Sequence, residues 1–214
     1  SFELASPGTL DGTNTVIFAG PFTWSGGVMD STTLGGKTVF TNTATVTINS
    51  ASTKTFQRRT VDNYATATWS AGQLSVGNGP VWNNQSGSVF DIQANLAAVF
   101  FGGTGPAFNN NGTLRKSNGS GTATMQFNVA NTATVRSLSG YLNFPFSYIQ
   151  TAGLTELAGG NFSGVLLDIR DGLLTGAGNV AANVSSAGQV APGTSVGLLT
   201  VSNNVVQTYS STTN

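Results

Sequence analysis

The sequence predicts an all-β fold, a single-stranded parallel β-helix (β-solenoid), right-handed, of about nine or ten irregular coils. Three observations predict it. A motif recurs at intervals close to 20 residues. Short segments between its copies alternate apolar with polar or hydroxyl side chains. Helical periodicity is nearly absent, and Gly and Asn interrupt the chain every few residues.

The recurring motif is Asn or Asp, a short spacer, Gly or Ala, Thr or Ser, then an apolar residue. It reads FTNTATV (40–46), VDNYATA (61–67), WNNQSGSV (82–89), FNNNGTL (108–114) and VANTATV (129–135). With the hydroxyl residue as marker, the copies fall at Thr45, Thr66, Ser88, Thr113 and Thr134, in steps of 21, 22, 25 and 21. Residues 1–21 precede the first copy and are expected to form a cap or a first coil of one continuous solenoid spanning residues 1–214. A second element, TWSGGVM (23–29), returns as TWSAGQL (68–74) and gives Trp24 and Trp69 the same phase. Beyond the last clear copy the steps shorten through YIQTAGLTEL, LDIRDGLLTG and VSSAGQVAPG.

Between markers, TATVTINS, SGSVFDIQ and TATVRSLS have the period of two expected of strands with one face inside. DIQANLAAVFF (91–101) is the nearest approach to a helix, but it is short and ends in Gly102-Gly103, so it reads as a widened rung or short insertion. Coils stacked at about 4.8 Å give a rod of about 40–50 Å. The recurrent Asn42, Asn63, Asn84, Asn110 and Asn131 are expected to form a ladder at one corner. Asn tolerates left-handed φ at a turn, and stacked amides can bond to one another.

Composition bounds the function. Only 7% of the 214 residues are charged, eight basic against eight acidic, with zero net charge. Nucleic-acid binding needs clustered Lys and Arg, so no nucleic-acid partner is expected. No apolar run reaches membrane-spanning length, so no membrane insertion is expected. The chain has no Cys and no His. That leaves no disulfide frame, no thiol chemistry and no histidine base. The absence of Cys fits an exported chain, although SFELASPG does not read as a signal peptide.

The stretch GQVAPGTSVGLLTV (188–201) closely resembles the autotransporter-associated β-strand repeat, in which a small-residue APG-S-G corner precedes Leu-Thr-Val. The NN-x-G-T and W-S-x-G elements resemble large secreted bacterial β-helix proteins of the adhesin and hemagglutinin type. The resemblance covers the chain from about Phe22 onward. It implies a secreted or cell-surface bacterial setting and a structural or adhesive role, with no shared catalytic residues. The final VVQTYSSTTN stops mid-pattern, which suggests a fragment or a rod continued by another chain.

An enzyme on this fold would need paired carboxylates. The acids are Glu3, Asp11, Asp30, Asp62, Asp91, Glu156, Asp168 and Asp171. Asp168 and Arg170 share a strand face and read as an ion pair, with Asp171 turning the corner before Gly172. Asp62 and Asp91 read as turn residues in place of Asn. LGGKT (34–38) lacks the first glycine of a phosphate loop and reads as a turn. Trp24 and Trp69 have two readings, a stack in the core or a surface platform for a glycan. Trp82, Tyr64, Tyr141 and Tyr148 raise the same choice. Phe100-Phe101 and Phe144-Pro145-Phe146 are either core filling or apolar patches for a partner. No catalytic residue, metal ligand or cofactor is expected. The expected partners are a further copy of the chain, end to end, and a glycan or neighbouring cell surface.

Overall fold

The computed structural model describes residues 1–32, 35–193 and 197–208. Its unit is a four-residue strand such as Thr45–Ile48, with Val46 and Ile48 buried and Thr45 and Thr47 turned outward. β-branched residues in a period of two suit a pleated surface with one wet face. Among the described residues no helix occurs, and every strand pair is parallel.

Three strands make one coil, and ten coils stack into three parallel faces. The first face runs from Phe2–Leu4 to Gln189–Pro192. The second runs from Thr9–Leu10 to Leu199–Val201. The third runs from Thr15–Phe18 to Val205–Gln207. Residues 2–18 supply the first coil.

Register tests the repeat directly. Thr45 lies beside Thr66, and Thr113 beside Thr134, as the sequence predicts. The third marker falls one residue early: Val89, not Ser88, occupies the column. Ser88 lies just before the strand, where its hydroxyl donates to Asn84 Oδ1 at 2.8 Å and to the Gln85 carbonyl at 2.6 Å. Trp24 and Trp69 do share a column, separated by Ile48. The widened rung is the strand Ala97–Gly102, where Val76 pairs with Phe100 and Gly77 with Gly102. Phe101 is the extra residue, pushed outward as a bulge.

The interior changes character along the axis. Through the first half it is filled by aromatic rings, tilted or stacked in the first coils (Phe18 with Phe22, 4.7 Å) and then edge to face, as in Trp82 with Phe90 (5.1 Å) and Phe90 with Phe108 (5.3 Å). Toward the end it is aliphatic, with Leu167, Ile169, Leu174, Val180 and Val184 buried. Coils also tighten. The strand Leu173–Ser186 crosses its corners without a break, helped by glycine where φ is positive, and Leu173 pairs with Gln189.

The APG corner (191–193) ends the strand Gln189–Pro192, and Gly193 has φ of 41°. Ser195 lies outside the described residues. Leu199 and Val201 resume the wall against the core, whereas Leu198 is exposed.

Candidate functional site

The most ordered polar feature is at the corner that follows the third face. The doublets Asp62-Asn63, Asn83-Asn84 and Asn109-Asn110 stack in register. Because strand side chains alternate, one member of each doublet points in and the other out. The inward members form a buried ladder. Asn63 Nδ2 donates to Asn84 Oδ1 (3.0 Å), Asn84 to Asn110 (2.9 Å), Asn110 to Asn131 (2.7 Å) and Asn131 to Gln150 Oε1 (3.0 Å). The backbone fixes its direction. Asn63 and Asn131 Oδ1 accept from the Ala65 and Ala133 amides, while Asn84 and Asn110 Nδ2 donate to the Thr113 and Thr134 carbonyls.

Two expectations change here. Asn42 is exposed and outside the ladder; Phe40 occupies that column beside Asn63. The aromatic interior of the early coils takes the place of the amide. The ladder asparagines also sit within strands. Positive φ among the described non-glycine residues falls instead on Ser50, Arg58 and Asn78.

The outward members form a second ladder running the other way. Asn109 Nδ2 donates to Asn83 Oδ1 (2.8 Å), Asn83 Nδ2 to Asp62 Oδ1 (2.7 Å), and Lys37 Nζ to Asp62 Oδ2 (2.7 Å). A carboxylate only accepts, so Asp62 sets this polarity. Burial pushes the Asp62 carboxyl up, but hydrogen bonds from Lys37, Asn83 and Gln85 and the Lys37 charge outweigh it and hold it below the usual range. Asp91 is similar: burial raises it, and Arg115, Ser117 and Gln93 bring it down. Both acids lie in strands, Thr60–Asn63 and Val89–Ile92, as ion-pair members. They are not the turn residues expected.

The other acids are also engaged. Register places Asp11 and Asp30 on neighbouring coils, next to the Leu10–Met29 pair. Asp30 accepts from Arg58 Nε (2.8 Å), Gln57 (2.8 Å) and the Ser31 amide (2.6 Å). Asp11 accepts from the Thr32 amide (2.9 Å), the Gly12 amide (2.6 Å) and the Thr32 hydroxyl (2.8 Å), which keep its carboxyl low. A glycosidase acid needs the opposite, a raised pKa. Asp168 and Arg170 pair at 2.7 Å as expected, and Asp171 accepts from the Gly172 amide at the corner. Gly172 has φ of 79°, and a side chain there would meet the Gly153 carbonyl.

Three buried cations escaped the sequence reading. Lys54 Nζ donates to the carbonyls of Ser50 (2.6 Å) and Ala71 (3.0 Å). Lys116 Nζ donates to Asn118 (2.8 Å), Gly119 and Ser139 (2.9 Å). Arg59 bonds Thr38 Oγ1 (2.7 Å) and the carbonyls of Lys37 (2.8 Å) and Asp30 (2.9 Å). Burial lowers the pKa of all three. Each ties one coil's loop to another's. Thr38 of the LGGKT stretch thus serves Arg59, while Leu34 lies outside the described residues.

Among the aromatics, the glycan reading of Trp24 and Trp69 is overturned. They are 1% and 0% exposed, each edge-on to a core phenylalanine, Phe56 and Phe90. Alternation turns them inward with Phe22 and Ala67. Trp82 and Tyr148 are inside too, and burial pushes the Tyr148 phenol up. Phe144 fills the core, whereas Phe100 and Phe146 are half-buried and meet at 5.6 Å across two coils. Phe101, Val165 and Leu166 are exposed, and register places Val165 and Leu166 at the same corner as Phe146.

Tyr64, like Phe101, is exposed, at 45%. It stands over an open groove of about 470 Å³ lined by Val39, Thr41, Asn42, Tyr64, Ser86 and Gly87. These residues come from three successive coils, and the first two ladder rungs, Asn63 and Asn84, adjoin Tyr64 and Ser86.

Among the described residues no group of three or more acidic, His or Cys side chains could hold a metal ion. Among the described residues no helix is long and apolar enough to cross a membrane. Fold and corner together define the class, a parallel β-solenoid pinned by a buried amide ladder. No family model, curated protein or solved structure matches the chain.

Proposed function

We propose that the chain is a non-enzymatic structural or adhesive rod segment of an extracellular or cell-surface bacterial protein, assembling end to end. One observation carries this reading: most of the charged and buried amide groups are engaged in holding coil to coil. Four ion pairs, two amide ladders and three buried cations link one coil to another, while the fifth pair, Asp168–Arg170, is local to one strand end. The absence of cysteine and the likeness to secreted bacterial repeats support the setting.

Solenoid ends are sheet edges with unpaired backbone groups. Apolar side chains are exposed on the coil of residues 2–18, Phe2 and Ile17, and on the coil of residues 189–207, Leu198, Val205 and Val206. A head-to-tail contact repeats without closing and makes a filament. Low charge keeps repulsion between copies small. Negative-stain electron microscopy of purified protein, over rising concentration at low and high salt, is expected to show rods lengthening into filaments. Single rods of constant length under every condition would remove end-to-end assembly.

A further inference from the structure

We propose that the groove beside Tyr64 is a binding site for neutral carbohydrate, with Tyr64 as the platform on which a sugar ring stacks. This is independent of end-to-end assembly, because the groove lies on the side of the rod.

The solenoid hides its tryptophans and most of its other rings, yet Tyr64 is held out in water. Its backbone is clamped on both sides. Its amide donates to the Phe40 carbonyl (2.9 Å), and preceding Asn63 is fixed by Asn84 and by the Ala65 amide and carbonyl. The ladder therefore holds the ring's base rigid before any ligand arrives, which lowers the ordering cost of binding. Across the groove, Thr41 and Thr43 bond to each other (2.9 Å), and Thr43 bonds the Ala19 carbonyl (2.9 Å). That fixes the turn from which exposed Asn42 projects. Val39 is an apolar wall, and Ser86 adds a hydroxyl.

An aromatic face, an apolar wall and a few amide and hydroxyl groups match a pyranose, whose C–H face is apolar and whose rim bears hydroxyls. The volume lies within the range of small-ligand sites. Its open, shallow form suits a glycan lying along the surface. Charge decides the class of sugar. Among the described residues the ammonium that interacts with Tyr64, Lys37, is held by Asp62 at 2.7 Å, which leaves it engaged rather than free for a uronate or sulfate.

The test is a glycan array followed by calorimetric titration of the best neutral oligosaccharide, at 0.1 and 0.5 M salt. The native chain is expected to bind neutral glycans with little salt dependence. Tyr64→Ala should weaken binding at least about tenfold and Tyr64→Phe should largely keep it, with both circular dichroism spectra unchanged. Failure to bind any neutral glycan overturns the proposal. So does binding that Tyr64→Ala leaves intact, or binding limited to acidic glycans and lost in salt.

Discussion

Asn110→Leu lowers the stability of the rod by about 2–4 kcal/mol, read from the urea midpoint at constant slope. Asn110 is fully buried in mid-ladder, accepting from Asn84 and donating to Asn131 and the Thr134 carbonyl. Leucine is close in size, so little cavity results. What is lost is polar satisfaction on both sides: an Asn84 proton, the Asn131 oxygen and the Thr134 carbonyl each lose a partner in a dry corner. Groups left unpaired cost roughly 1–3 kcal/mol each, and the remaining bonds of Asn84 and Asn131 keep the sum moderate. Asn42→Ala, at an exposed site off the ladder, should stay within about 0.5 kcal/mol. Equal effects at the two sites would show that the ladder is not what holds the corner.

Trp69→Ala costs about 3–5 kcal/mol, the range for emptying a large aromatic site in a packed core. Trp69 is wholly enclosed, lies edge-on to Phe90 and donates from Nε1 to the Gly72 carbonyl at 2.9 Å. Its loss leaves a void against neighbouring coils and frees a corner carbonyl. Thermal unfolding followed by circular dichroism measures it. A surface platform would give a variant as stable as the native chain, so an unchanged melting temperature would return Trp69 to the outside.

Both cases show what the sequence could and could not convey. The period and the columns were legible, because stacking at fixed register forces equivalent residues to recur. Thr45, Thr66, Thr113 and Thr134 were placed correctly, and so was the shared phase of Trp24 and Trp69. Direction was harder. Phe40 and Asn42 are two residues apart, so alternation gives them the same parity, and only the path of the corner removes Asn42. For Trp24, parity with buried Phe22 already pointed inward.

The buried cations run against the usual placement of charge. Charged side chains are usually outside. Yet Lys54 shares parity with Phe56, and Lys116 with Leu114, both fully inside. Inward lysine is tolerated because the corner supplies converging carbonyls, some from the lysine's own coil and one from the next, Ala71 for Lys54 and Ser139 for Lys116. The Tyr64 groove was illegible for the same reason. Its walls are Val39, Tyr64 and Ser86, and no local window joins them.

The central claim is that a buried amide ladder pins the corner of a three-faced solenoid. Hydrogen exchange of asparagine side-chain amides, followed by NMR, tests it most directly. The Nδ2 protons of Asn63, Asn84, Asn110 and Asn131 should exchange on the slow timescale of the core backbone amides, while those of Asn42 exchange at the solvent rate. Ladder amides that exchange as fast as Asn42 would contradict the account.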